Sequence, residues 1–254
     1  MKKRLLIQSL VLALPVLGLT SMTIANSNLP QINNVYVPVH RVLESAEQRY
    51  LLQVTTGVWN PQATLFDRIN NSTVYFNGTQ KGNNLSLYSV NQLLAGTETN
   101  THKINADVNI SSGNLNSQII SSRFDKNVDF QPLIKVQNRP SFSFKFYGGA
   151  TIQQVSITDR SSQRVVQNLT GFNASPERMD YMDLNFDGYY DLVFVNAREA
   201  DRYIYWMYNP KTAQFQRAPQ LEKLAGQPKI DGLTRQVSFG EQTFKVEQGL
   251  LRPL

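Results

Sequence analysis

In the stretch Lys103-Ile104-Asn105-Ala106-Asp107-Val108-Asn109-Ile110 every second residue is apolar and every residue between is polar or charged. A strand repeats every two residues, so this order turns one oily face toward a core and one polar face toward water. The same alternation runs, with lapses, through Thr73-Val74-Tyr75-Phe76, Leu85-Ser86-Leu87-Tyr88 and Ser141-Phe142-Ser143-Phe144-Lys145-Phe146-Tyr147. Between these runs lie Asn77-Gly78, Gly82-Asn83-Asn84, Ser112-Gly113-Asn114 and Gly148-Gly149, turn formers spaced for hairpins and meanders rather than helical crossovers. The expected fold class is therefore all-β, with antiparallel strands in a propeller-like or sandwich arrangement. One or two short helices are expected within it. Val42 to Leu52 is long enough for three turns, and Pro219 to Leu224 has Pro in the first turn with Leu221 and Leu224 on one face. No repeat of fixed period divides the chain into blades or modules.

Composition narrows the chemistry. The 254 residues include no Cys, which excludes disulfides, thiolate catalysis, Cys-ligated zinc, iron–sulfur clusters and a lipoprotein cysteine. The only histidines are His40 and His102, thin material for a histidine-centred active site. Residues 26 to 140 are rich in Asn, Ser and Thr, whereas residues 141 to 254 hold most of the Tyr and the aromatic clusters. Two strand-rich regions, 26–140 and 141–254, follow, with a soft boundary near Asn138-Arg139-Pro140 and room for a shared core.

Residues 1 to 25 have the layout of an export signal. Met1-Lys2-Lys3-Arg4 is a positive start, Leu5 to Leu19 an apolar run interrupted by Pro15 and Gly18, and Thr23-Ile24-Ala25 a small-residue cleavage site. The run is short for a bilayer span. Cleavage after Ala25 and a periplasmic location, with no membrane anchor left behind, are the expectation. The mature chain then carries 22 Lys and Arg against 19 Asp and Glu, too slight an excess for nucleic-acid binding. Within it, residues 177 to 201 hold Glu177, Asp180, Asp183, Asp187, Asp191, Glu199 and Asp201 against Arg178 and Arg198, a local net of −5. Such an asymmetry suits a cation site.

The motif inside that acidic stretch is Asp183-Leu184-Asn185-Phe186-Asp187-Gly188-Tyr189-Tyr190-Asp191. A hard cation such as Ca2+ takes six to eight oxygens, supplied by a loop from side chains at positions 1, 3, 5 and 9 and a carbonyl at position 7, with Gly at 6 for the sharp turn. Those positions are Asp183, Asn185, Asp187, Asp191, the carbonyl of Tyr189, and Gly188. Position 12, where an EF-hand carries a bidentate Glu, is Phe194 within Leu192-Val193-Phe194-Val195, so the loop runs into a strand instead of a helix. Asp180, Glu177 or Asp201 would have to fold back to complete the coordination.

Upstream of the loop stand Val155-Ser156-Ile157-Thr158-Asp159 and Val165-Val166-Gln167-Asn168-Leu169. Downstream stand the aromatic run Arg202-Tyr203-Ile204-Tyr205-Trp206-Met207-Tyr208, the turn Asn209-Pro210-Lys211-Thr212, and Phe215. Over about residues 143–224 this order resembles a family of periplasmic calcium-loop proteins whose characterised members are immunity proteins. Those members inhibit lysozyme-like effectors delivered by bacterial secretion systems. The resemblance implies calcium at Asp183, Asn185, Asp187, Tyr189 and Asp191, and a peptidoglycan hydrolase or toxin effector as protein partner. It carries no inhibitory residues across, and the absent lipoprotein cysteine departs from the membrane-anchored members.

Enzymatic readings find less support. Glu44 with Glu47, or Asp180 with Asp183, are the carboxylate pairs a glycoside hydrolase would need, but their spacing carries little information. Neither histidine has a nucleophile-elbow motif to serve. Tyr203, Tyr205, Trp206 and Tyr208 are candidates for a carbohydrate-stacking platform or for packing on both faces of one strand. The sequence thus points to a non-enzymatic, periplasmic, calcium-binding inhibitor or immunity protein, with a calcium-stabilised cell-envelope or glycan-binding module as the alternative.

Overall fold

The computed structural model describes residues 29–91 and 96–254; the proposed export signal lies outside the described residues. The short strand β1 (Gln31–Ile32) is followed by eight consecutive antiparallel strands: β2 (Val39–Ser45), β3 (Tyr50–Thr56), β4 (Gln62–Asp67), β5 (Ser72–Lys81), β6 (Asn84–Asn91), β7 (Thr97–Val108), β8 (Leu115–Ser121) and β9 (Asp125–Pro132). The last returns to the first through Leu43↔Pro132, Glu44↔Gln131 and Ser45↔Phe130, which closes the meander into a barrel. Eight strands enclose a space that side chains can fill. Here Leu43, Leu52, Leu65, Phe76, Leu87, Ile104, Leu115, Ile119 and Phe130 fill it. The alternation in β7 is realised as read, with Ile104 and Val108 buried inside. Outside, a cross-strand row of Thr79, Ser86, Asn105, Gln118 and Asn127 faces water. An oily interior with a polar exterior is the reverse of a lipid-facing barrel.

Two sequence expectations fail in this region. Val42 to Leu52 is not a helix but parts of β2 and β3, joined by a tight turn in which Gln48 adopts φ 59. Cross-strand pairing of Leu43 with Leu52, and the second seam that β2 makes with β9, outweigh the local helical spacing. Asn77-Gly78 is not a turn but the middle of β5. A Cβ on Gly78 would stand 2.1 Å from the carbonyl oxygen of Ser86, so the missing side chain permits a close strand approach as the barrel coils.

The chain leaves the barrel at Pro132 and builds β10 (Phe142–Gly148), β11 (Ile152–Asp159) and β12 (Val165–Leu169), with β1 on the outer edge of β10. A second set follows: β13 (Ala174–Met182), β14 (Asp191–Asn196), β15 (Tyr203–Asn209) and β16 (Gln214–Arg217). The two sets face each other across Phe142, Phe146, Ile157, Phe172, Met179, Phe194 and Tyr208. On the far face of β13–β15, Met182, Val193 and Tyr205 pack against Val237, Phe239 and Val246. These belong to a separate four-stranded sheet, β17 (Pro228–Asp231), β18 (Gln236–Phe239), β19 (Gln242–Glu247) and β20 (Leu250–Pro253). The central sheet is covered on both sides, which explains the unbroken apolar run Leu192-Val193-Phe194-Val195. Pro219 to Leu224 forms a single 3-10 turn at Leu221–Lys223, shorter than the helix expected there.

Barrel and central sheet are spliced by one parallel contact, Tyr181↔Val39 and Met182↔His40. Strand β2 therefore pairs with β13 along its first residues and with β9 along its last. The protein is all-β and antiparallel apart from that splice and an isolated parallel bridge between Tyr36 and Arg178.

Candidate functional site

The loop 183–190 connects β13 to β14, closed by the pair Met182↔Asp191. Its turns are made by its own side chains. The Asp183 carboxylate accepts the N–H groups of Asp187 (3.1 Å) and Gly188 (2.9 Å), and Asp187 accepts that of Tyr189 (2.9 Å). The Asn185 amide donates to Asp187 at 3.0 Å. Asp191 is fully buried, and its two oxygens accept the N–H groups of Leu184 (3.0 Å) and Tyr208 (2.9 Å), tying the loop to β15. Gly188 adopts φ 90, and a Cβ there would lie 2.5 Å from Val136 Cγ1, so the segment after the barrel closes over the loop. The Tyr189 ring stacks on Tyr208 with centroids 5.4 Å apart.

Asp183, Asn185 and Asp187 thus share one turn, and Asp191 anchors its end. Burial, reinforced by the charge of Asp187, pushes the Asp183 carboxyl up to about 7. Burial, with Asp183 beside it, also holds Asp191 well above the usual carboxylate range. Among the described residues no three carboxylate or imidazole groups stand in a ready-made metal cluster. The residues proposed to complete the coordination are placed elsewhere. Asp180 is held by His40 (2.5 Å) and by Arg178 (2.6 Å), while Glu177 and Asp201 are exposed. The donor set is all oxygen, and its carboxylates are met by N–H groups but by no ion-pair partner among the described residues, which is the chemistry a hard divalent cation satisfies.

Beside the splice opens a cleft of about 1220 Å³ between the barrel wall, β13 and the start of β17. Trp59, 62 % exposed, and Tyr36, 54 % exposed, stand in it with Asn60, Gln62, Asn77 and Gln227. Behind them sit His40 and Arg178, both bound to Asp180. Burial pushes the Asp180 carboxyl up, but the hydrogen bonds from His40 and Arg178 outweigh it and hold it below the usual range. Thr55 Oγ1 lies 3.3 Å from His40 Nδ1 because the two are directly opposite on β3 and β2. A hydroxyl, an imidazole and a carboxylate are thereby aligned, yet Arg178 already neutralises the carboxylate from two nitrogens. No local pattern marks this cleft, because its walls come from segments remote in the chain that only tertiary contacts bring together.

The other sequence candidates are accounted for by packing. Tyr205 is buried against Phe239 and Tyr208 against Phe142 and Phe215, while the half-buried Trp206 meets Phe172 edge-on and Tyr203 packs on the far face, so the four rings serve packing on both faces of the strand. Glu44 and Glu47 pair with Arg68 and Lys126 respectively instead of flanking a cleft.

No family model and no curated protein matches this chain. Among solved structures, the β-propeller domain of Myceliophteria thermophila Cps50 (Swd1) superposes over 89 % of this chain and 88 % of its own, at 9 % identity and a TM-score of 0.28. At that score the superposition defines no shared architecture.

Proposed function

We propose that this chain is an exported, non-catalytic binding protein, braced by calcium, whose ligand face is the cleft beside the splice. The observation that carries this reading is the exposed pair Trp59 and Tyr36 over a floor of amides and hydroxyls. Aromatic faces that stack on sugar rings, combined with side chains that both donate and accept, form a recognition surface for a saccharide. The class is accordingly a cell-envelope glycan-binding module. Calcium held by Asp183, Asn185, Asp187, Asp191 and the Tyr189 carbonyl would offset the repulsion in the loop and stiffen the central sheet behind the cleft. Two measurements test this. Soluble peptidoglycan fragments should bind the mature protein, and Trp59→Ala should weaken that binding at least about tenfold, as loss of one stacking ring does. Thermal unfolding should shift upward in millimolar calcium relative to EDTA, and Asp187→Ala should abolish the shift. Failure of every glycan fragment to bind overturns the saccharide reading, and superimposable unfolding curves overturn the calcium one.

A second reading is favoured by the exposed turn Ala197 to Asp201, which carries Glu199 and Asp201 at one end of the central sheet. With Glu199 and Asp201 against Arg198 the turn is net negative and exposed, which suits a basic peptidoglycan hydrolase, as expected of an inhibitor or immunity protein. Inhibition of a co-encoded hydrolase that survives Trp59→Ala but falls with Glu199→Lys would select this reading over the first.

A further inference from the structure

On the other side of the splice, between the barrel rim and β10, lies a smaller cavity of about 320 Å³ that neither proposal uses. Its distinguishing content is cationic. Arg41, on β2, is 5 % exposed. Its Nε donates to Thr56 Oγ1 at 2.9 Å, and its Nη1 reaches only the Tyr190 hydroxyl, at 3.5 Å. Arg139, from the chain that leaves the barrel, donates through Nη2 to the Ile134 carbonyl at 2.9 Å. Its Nε and Nη1 are sealed from solvent and have no acceptor.

The two guanidiniums point at one place. A Cβ built on Gly113 would lie 2.9 Å from Arg41 Nη1 and 3.5 Å from Arg139 Nη1, so both guanidiniums close on the backbone of this glycine from the side its missing side chain leaves free. Among the described residues no carboxylate lies within 4 Å of either arginine. Asp183 is near enough to feel the charge of Arg139, but burial, the charge of Asp187 and two backbone N–H groups all act on it more strongly. The Tyr190 ring lies 5.2 Å from Arg139 and 6.0 Å from Arg41, a partial relief that satisfies no N–H. Two like charges removed from water, with hydrogen-bond donors left open, are costly unless an anion completes them. Of the remaining wall, Val39, Val108, Phe144 and Tyr181 are apolar or aromatic, while Gln80, Ser111, Ser143 and a third arginine, Arg160, whose Nε is already given to the Phe142 carbonyl, are polar.

We propose that this cavity is a binding site for a small organic oxyanion, a carboxylate or phosphate ester on a compact apolar body. The anionic group is taken up between Arg41 and Arg139, whose closed-off donors turn into the cavity to meet it, and the body lies against Phe144 and Tyr181. A volume near the lower end of the usual ligand range fits a molecule of that size and not a polymer. Because the walls come from both the barrel and β10–β13, an occupied site also clamps the splice.

The test is calorimetry and thermal unfolding of the mature chain with benzoate, phenyl phosphate, inorganic phosphate and benzyl alcohol. Benzoate or phenyl phosphate should bind with a Kd below about 1 mM and raise the melting temperature, while neutral benzyl alcohol should do neither. Binding of inorganic phosphate with equal affinity would overturn the apolar half of the proposal. Arg139→Gln should weaken binding at least about tenfold, the scale of one charge-assisted hydrogen bond. Should that variant fail to fold, Ile110→Trp provides the check: Ile110 lines the cavity and is 47 % exposed, so a larger side chain there blocks entry without touching either arginine. Absence of binding by every oxyanion, or binding unchanged in Ile110→Trp, overturns the site.

Discussion

Gly188 illustrates how one residue answers to two constraints. Its φ of 90 lies where side chains are strained, and its Cα hydrogen faces Val136 and Ile134 at distances that leave no room for a methyl group. Gly188→Ala should therefore lower stability by about 1 to 3 kcal/mol, measured by urea denaturation, and should weaken any calcium-induced shift with it. Tyr205 makes the opposite case. Its ring is fully buried beside Phe239, and its hydroxyl has no partner. Removing an unsatisfied buried hydroxyl leaves the packing intact, so Tyr205→Phe should be neutral or stabilising by up to about 1 kcal/mol. A clear loss of stability in that variant would mean that the hydroxyl is hydrogen-bonded in solution.

At the level of the strands, the hairpin between β4 and β5 shows how an ion pair fixes a turn. Arg49 donates to both oxygens of Asp67, at 3.1 and 2.7 Å, and the same carboxylate accepts the N–H groups of Ile69 and Asn70 that form the turn. The Arg49 guanidinium, with those N–H groups, holds the Asp67 carboxyl at about 2, below its ordinary 3.8. A carboxyl held low in the folded state contributes stability that is fully present above its unfolded value and is lost as pH falls through the folded one. This hairpin should accordingly lose on the order of 1 to 2 kcal/mol between about pH 4 and pH 2. Acid titration of unfolding free energy should display that slope in the wild type and a diminished one in Asp67→Asn.

Across the whole molecule, stability depends on three cores that share strands. Strand β2 belongs to the barrel and to the splice, and the central sheet is coated on one face by β10–β12 and on the other by β17–β20. The C-terminal sheet also reaches the barrel directly: the Gly232 N–H donates to the Gln53 side chain, and a Cβ at Gly232 would stand 2.2 Å from Val42 Cγ1. Gly232→Val should therefore lift the β17–β18 turn off the barrel while leaving both units folded. Limited proteolysis should then cut near residues 231–235 at a rate well above that of the wild type, and an unchanged rate would show that the contact does not hold the units together.

Several of the strands with their polar and apolar faces, the sharp turn at Gly188 and the side chains that shape the acidic loop were legible in the sequence. Each depends on residues close together in the chain, where period-two patterning, Asx turns and glycine geometry act. The closure of β9 onto β2 was not legible, and it overturned the helix expected at Val42 to Leu52, because a strand partner nearly ninety residues away outweighs local spacing. Nor was the pairing of His40 with Asp180, the convergence of Arg41 and Arg139 on Gly113, or the burial of Tyr205 and Tyr208. The first exists because the barrel and the central sheet meet at a short parallel seam, and the last because the central sheet is covered on both faces. Side-chain chemistry is written residue by residue, but which charges end up beside one another, and which aromatic rings remain in water, is decided by the packing of elements remote in the chain.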